Sequence, residues 1–323
     1  MQLIVTLTMN PCIDVSARVS KIEPEKKLRC DSPTLHPGGG GINVSRAIHR
    51  LGGSASTIYP AGGVNGVMLG ELLDEENLWH MSISIQGLTR ENYTFLDESN
   101  GLQYRFNTPG PELTDKEWEK CLKVVAELSP RPEYIVASGS LPLGVPDDFF
   151  ARVVAVSREI KAKVIVDTSG NALQNTVKEG GVYLIKPNRR EFRELTGLSE
   201  DDEAGLREAA AEIITEGKCE VIVVSLGADG LLAVWSDGYK RVRTPDVKAV
   251  SKVGAGDSTV AGLTLQLARG ISIEDAVLYG AAAGNAAVMT PGTELCRLED
   301  TERIYQEMVA AAKESGSRIQ DSE

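Results

Sequence analysis

The run Val253-Gly254-Ala255-Gly256-Asp257-Ser258 carries the most concentrated chemistry in the chain. Three small residues ahead of a helical pattern reaching Ala268 let the backbone pass close to a ligand. They also leave the first amide N–H groups of that helix free to face an anion. Asp257 stands at the rim of this cradle, where a carboxylate can take a hydroxyl proton while Gly254, Ala255 and Gly256 receive a transferring phosphoryl group. Taken alone, Gly-Ala-Gly-Asp is equally a tight turn with an aspartate cap, and both readings stay open at this level.

Four consecutive glycines, residues 38–41, open a second helical pattern. Ordering so many glycines is entropically costly, which points to bare backbone lying against a polyhydroxylated ligand. Gly38, Gly39 and Gly40 would form that surface, Asn43 would bond hydroxyls from the first turn, and Asp14 could accept a pair of them. A third motif, Lys186-Pro187-Asn188-Arg189-Arg190-Glu191, ends a strand and lets Pro187 begin a helix. Its Asn188 and Glu191 can hold water around a magnesium ion, or simply mark a helix start with a solvated glutamate. A fourth, Ser225-Leu226-Gly227-Ala228-Asp229-Gly230, suits the phosphates or ribose of a nucleotide. Lys27, Arg29, Arg90 and Arg105 offer cations that match phosphate geometry, unless they serve only solubility.

Competing phosphate motifs are absent. No G-x-x-x-x-G-K-[ST] occurs, and neither glycine cluster completes the G-x-G-x-x-G dinucleotide fingerprint. A P-loop NTPase is thereby excluded, and a dinucleotide-dependent oxidoreductase disfavoured.

The elements that must position these residues follow from periodicity. Continuously apolar, β-branched runs at residues 3–7, 134–137, 163–167, 182–185, 221–225 and 231–235 read as parallel strands buried on both faces. Helical patterns at 43–51, 115–128, 147–160, 202–216 and 258–268 alternate with them, which predicts a doubly wound α/β sheet. Residues 14–22 and 93–106 instead alternate polar and apolar, and Asn100-Gly101 is a hairpin signal. These stretches suit a small one-sided sheet, either a lid over the site or an edge extension.

The whole chain has 323 residues with a formal net charge of -12, which argues against general binding to nucleic acid or anionic membranes. Its 5 cysteines show no C-x-x-C pair, a pattern of reduced thiols and a cytoplasmic setting. The 3 histidines have no metal-ligand spacing. MQLIVTLTMN reads as a first strand and not a leader peptide, and no apolar run is long enough to cross a bilayer.

In their order and spacing the four motifs resemble the ribokinase-like sugar kinases, the PfkB group. Within that group the chain is most similar to the 6-phosphofructokinase branch, through PEKKLRC (24–30), HPGGGGINVSRAI (36–48), TREN (89–92), QYRF (103–106) and SGSLPLGV (138–145). The resemblance implies a three-layer α/β sandwich over residues 1–12, 36–86 and 109–323, with a β-lid from 13–35 and 87–108 that covers substrate and pairs two copies as a homodimer. It implies Asp257 as base beside the anion hole, an ATP loop at Ser225, Gly227 and Gly230, nucleotide contacts at Lys186, and magnesium organised through water by Asn188 and Glu191. Potassium would take backbone ligands near Ser251, Val253, Ala287, Thr290 and Gly292, although Glu294 departs from the basic residue of similar chains. Arg90 and Lys27 would bind the substrate's phosphate, with Ser140 nearby.

The implied activity is ATP-dependent phosphorylation of the C1 hydroxyl of fructose 6-phosphate. Tagatose 6-phosphate and fructose 1-phosphate compete as substrates. Relatives acting on fructose 1-phosphate typically carry a lysine inside the glycine run, and this run has none. The non-enzyme alternative is a phosphosugar-binding regulator, which would have lost the base or the anion-hole glycines.

Overall fold

A computed structural model describes residues 4–198, 202–292 and 294–320, with side chains described to residue 312. Thirteen strands form in chain order: β1 (Ile4–Leu7), β2 (Cys12–Val19), β3 (Thr34–Gly38), β4 (Ser56–Ala61), β5 (Trp79–Ser84), β6 (Arg90–Asp97), β7 (Leu102–Asn107), β8 (Tyr134–Ser138), β9 (Lys163–Asp167), β10 (Val182–Ile185), β11 (Cys219–Ser225), β12 (Leu231–Trp235) and β13 (Gly238–Val242). The helices are α1 (Gly40–Arg50), α2 (Gly63–Glu75), α3 (Asp115–Ala126), α4 (Phe149–Glu159), α5 (Gly170–Glu179), α6 (Arg189–Thr196), α7 (Glu203–Thr215), α8 (Ala255–Ala268), α9 (Ile273–Ala287) and α10 (Leu298–Gln320).

Nine strands build one sheet in the order β13-β12-β11-β10-β9-β8-β1-β4-β5. From β11 to β5 every pairing is parallel; the β11–β12 and β12–β13 pairings are antiparallel, so β12 alone runs against the other strands. Alternating residues of the central strands enter different cores. Val164 and Val166 of β9 pack with Phe149, Phe150 and Phe192 beneath α3–α7, while Ile165 packs with Val260, Leu263 and Ile304 beneath α1, α8, α9 and α10. That is why these strands are apolar without a break, and the expected doubly wound sandwich is the observed one.

The alternating segments form a separate four-stranded sheet, β3-β2-β6-β7. The hairpin between β6 and β7 turns at Asn100-Gly101, where Gly101 has φ of 71°. Opposite faces of this sheet differ. Tyr93, Phe95, Tyr104 and Phe106 share one face by register, and Arg90, Asn92, Thr94 and Arg105 the other.

Periodicity leaves β3, β4, β5, β13, α2, α5, α9 and α10 unassigned. Helix α6 begins two residues after Pro187, because Asn188 is its N-cap: the Asn188 side chain accepts from Glu191 N, and the Glu191 carboxylate accepts from Asn188 N. Among the described residues, no helix is long and apolar enough to cross a membrane.

Candidate active site

Helix α8 starts behind Gly254, whose φ of 74° is left-handed and open to glycine at little cost. Its first intrahelical bond runs from Ser258 N to Gly254 O at 2.8 Å, so the amides of Ala255, Gly256 and Asp257 have no helical partner. With the positive end of the helix behind them, these amides make an anion site. Lys186, nearly buried at the end of β10, adds a full charge: a Cβ placed on Gly256 would lie 3.4 Å from its Nζ. The same ammonium pairs with Asp167 Oδ1 at 3.2 Å, at the end of β9. Asp167 was not among the sequence candidates. The signal for it is the carboxyl end of the VIVD strand, where open α/β sheets bind ligands.

Asp257, partly buried in the first turn of α8, accepts from Asn43 Nδ2 at 2.9 Å. Burial and the neighbouring Asp167 charge push its carboxyl up to about 6, against the pull of Asn43 and Lys186. A carboxylate so tuned is a good proton acceptor near neutral pH. Asn43 is itself held. Arg46, fully buried and paired with Glu76 at 2.8 Å, donates to Asn43 Oδ1 at 3.4 Å and to Pro37 O at 3.0 Å. This contact orients the Asn43 amide so that its NH₂ group points to Asp257.

The glycine run has a structural explanation beyond ligand approach. A Cβ on Gly38 would lie 2.4 Å from Asp14 Oδ2, on Gly40 2.7 Å from Gly139 N, and on Gly41 2.7 Å from Leu7 O. At Gly40 and Gly41 the neighbouring backbone cannot move aside, so α1 comes this close to β1 and to the end of β8 only without side chains. At Gly38 the neighbours are instead the side chains of Asp14 and Cys12. The approach sets Asp14, on β2, directly beside Gly38. Gly39 combines a φ of 112° with close contact to Thr8.

A cavity of about 500 Å³ opens along the carboxyl ends of β9–β11. Lys186, Asn188, Ser225, Gly227, Gly230 and Gly256 are on its wall, the same residues that the nucleotide motifs nominated. Gly230 has φ of 93°, and a Cβ there would strike Val242 O at 2.1 Å, which fixes the turn tightly against β13. Asn188 and Glu191 spend part of their polar capacity on the α6 cap, but both still line the cavity together with Asp167. Two carboxylates and an amide around this volume would fit a divalent ion that keeps much of its hydration shell, not a closed protein cage. Among the described residues no three acidic, His or Cys side chains cluster as a metal site.

Of the cations, Arg90 is built in most firmly. Its guanidinium donates to Asn10 O and Thr108 O, each at 3.0 Å, and to Asn92 Oδ1 at 3.3 Å, while its buried Nε has no partner. Ser140 accepts from Asn10 Nδ2 at 3.1 Å. Lys27 is exposed in the β2–β3 connection, and Arg105 is exposed on β7, donating to Gln103 at 3.3 Å. Neither makes a hydrogen bond to the residues around Asp257 among the described contacts. Ser251 and Thr290 are buried in adjoining segments: Val250 N and Ser251 N both donate to Val288 O, and the Thr290 hydroxyl donates to Ala287 O and Leu295 O. Val253 follows the first segment; Gly292 closes the second with φ of 55°.

Residues 3–301 match the pfkB family carbohydrate kinase domain. An ATP-dependent 6-phosphofructokinase isozyme 2 of Mycobacterium tuberculosis is 42% identical over 313 residues, covering 97% of this chain and 91% of that protein. The crystal structure of phosphofructokinase-2 from Escherichia coli in complex with fructose-6-phosphate aligns with a TM-score of 0.90 at 40% identity, over 96% of this chain and 100% of that one. The potassium complex of the same Escherichia coli enzyme aligns with a TM-score of 0.92 at 41% identity and the same coverage.

Proposed function

The chain belongs to the pfkB family of carbohydrate kinases, and on that premise we infer that it transfers the γ-phosphoryl group of ATP to the C1 hydroxyl of fructose 6-phosphate. The observation that carries the reading is the meeting of Asp257, the unpartnered amides of residues 255–257 and Lys186 at one end of the cavity.

In the reaction, the Asp257 carboxylate accepts the C1 proton as that oxygen attacks phosphorus. Asn43 holds the carboxylate in place. The amides of Ala255, Gly256 and Asp257 receive the negative charge of the moving phosphoryl group, with Lys186 beside it, and fructose 1,6-bisphosphate and ADP leave. Such fixed donors need no reorganisation as charge develops, which makes them effective in phosphoryl transfer. Ser225, Gly227 and Gly230 border the nucleotide; Gly38, Gly39, Gly40 and Asp14 border the sugar; Arg90, with Ser140, faces its phosphate.

Asn188, Glu191 and Asp167 would hold a hydrated magnesium ion, which when bound neutralises phosphate charge. Backbone of Ser251, Val253, Ala287, Thr290 and Gly292 would hold potassium beside the anion site, in keeping with the potassium complex of the Escherichia coli enzyme.

We assign residues 13–35 and 87–108 as a lid; the four-stranded sheet they form also takes in Cys12 and residues 36–38, beyond the bounds expected from sequence. Its aromatic face includes Phe106, 55% exposed, and it would pair two copies of the chain. Pairing would bring the partner's lid over the site, a place for the otherwise exposed Lys27 and Arg105.

The test is ADP release with fructose 6-phosphate, tagatose 6-phosphate and fructose 1-phosphate, ranked by kcat/KM. Fructose 6-phosphate should lead. A lead by either other sugar replaces the substrate, and binding of phosphosugar without ADP release under saturating ATP replaces the kinase with a regulator.

A further inference from the structure

The side chain of Asn92, on β6, touches both ends of the proposed sugar-phosphate site. Its Nδ2 donates to Asp14 Oδ1 at 3.2 Å and to Cys12 Sγ at 3.1 Å. Its Oδ1 accepts from Arg90 Nη1 and from Thr108 N, each at 3.3 Å. A carboxamide has two donor hydrogens and two lone pairs, so these four contacts use all of it. Strand register explains the convergence. Asp14 pairs with Asn92 and Cys12 with Arg90 across β2 and β6, which sets four polar side chains on one face of the small sheet. Cys12 closes the circuit, its Sγ donating to Asp14 Oδ1 at 3.3 Å. Burial and the Asp14 charge raise the thiol well above its ordinary range, so sulfur keeps the proton it donates.

We propose that Asn92 is a positioning residue that couples Asp14, the hydroxyl acceptor, to Arg90, the phosphate-facing cation, and so sets the span of ketose phosphate that the site accepts. The proposal rests on the substrate reading above. Only one orientation of the amide serves both neighbours. Turned over, its hydrogens would face the guanidinium and its oxygen the carboxylate. An amide is the neutral group that donates on one side and accepts on the other at this short reach, whereas a carboxylate would repel Asp14. An apolar side chain would remove the contact that joins the two charges, leaving Arg90 only its carbonyls and Asp14 only the Cys12 thiol.

The test uses two variants of the full-length enzyme and the KM for each substrate. In Asn92→Asp two carboxylates face each other within hydrogen-bond reach, with Arg90 and the Cys12 thiol beside them, Arg105 on the same face of the sheet, and His36 and Asp257 near Asp14. Such a pair retains one shared proton at low pH and loses it as pH rises. The ratio of variant to parent KM for the phosphosugar cancels ionisation of the substrate and of Asp257. That ratio should stay within about threefold near pH 6 and rise at least about tenfold by pH 8.5. Asn92→Ala, which adds no charge, should raise the phosphosugar KM roughly tenfold, about 1.4 kcal/mol, at every pH while the ATP KM stays within about twofold. A pH-independent ratio in Asn92→Asp, a parental phosphosugar KM in Asn92→Ala, or equal rises of both KM values in Asn92→Ala overturns the proposal. Should the parent prefer another ketohexose phosphate, the same ratios are read with that sugar: the substrate reading then fails while the Asn92 proposal is still decided.

Discussion

The nine-stranded sheet and the four-stranded sheet contribute to the site in opposite ways. From the large sheet come groups at strand ends and helix starts: Asp167, Lys186, and the amides ahead of Ser258. Their positions are set by backbone that is packed on both sides, so they are fixed before any ligand arrives. The small sheet offers side chains from the middle of strands, Asp14, Arg90 and Asn92, held by one another and by a few carbonyl groups. Its other face is aromatic and partly exposed. On the proposed assignment, the phosphoryl-transfer groups are set by buried backbone, and the groups facing the sugar phosphate come from a one-sided sheet whose side chains can be exchanged.

Substitutions on the two sides should therefore differ in kind. The largest expected effect is that of Asp257→Asn, which should lower kcat by ~10²–10⁴ with the KM values nearly unchanged, the usual cost of losing a general base. Retention of most activity would falsify Asp257 as base. The same variant should melt later than the parent at pH 8. A carboxyl raised in the folded state adds stability that is present below the unfolded value and lost as pH rises through about 6. The gain in Tm should vanish near pH 4.

Next in size is Arg90→Ala on the small sheet. It removes charge-assisted bonds worth about 1.5–3 kcal/mol and should raise the KM for fructose 6-phosphate by ~10–100-fold, with kcat within a few fold. If kcat fell instead, Arg90 would belong with the chemistry and the contrast between the sheets would blur.

A smaller effect is a slope. As Asp257 must be ionised to accept a proton, kcat/KM should fall tenfold per pH unit below about 6 and level off above it. An acid limb near the ordinary aspartate value of about 3.9 would show that ligands or the fold relieve the burial of this carboxyl.

The least severe change is Phe106→Asp, on the exposed aromatic face. Sedimentation should show a shift from dimer to monomer with the Tm of the large sheet almost unmoved; a persistent dimer would place the contact elsewhere.

Much of the scaffold is readable from local pattern. VIVD and VIVVS mark buried strands because both of their faces enter a core, and Asn100-Gly101 marks a turn because Gly101 takes a left-handed conformation. The start of α8 is legible only approximately: the small residues read as lying ahead of a helix over 258–268, and the helix begins at Ala255. The exact start of α6 is not, since a reciprocal cap between Asn188 and Glu191 overrides the preference of Pro187. Local reading gives neither Asp167 nor Asn92 a role, although VIVD marks a strand's carboxyl end and TREN contains the amide. Each is an ordinary polar residue in a strand, and its importance arises from what the register sets opposite it.

Sequence alone determined the type of most elements, marked the small-residue runs ahead of α8 and α1, and nominated Asp257 as the candidate carboxylate, because these depend on backbone freedom and side-chain chemistry within a few residues. Only the tertiary structure decided why residues 38–41 must be bare, which groups raise the Asp257 carboxyl, and that Asp14 and Arg90 meet through one amide. Those are properties of distance between segments far apart in the chain, and distance is fixed by packing and register, which no local pattern encodes.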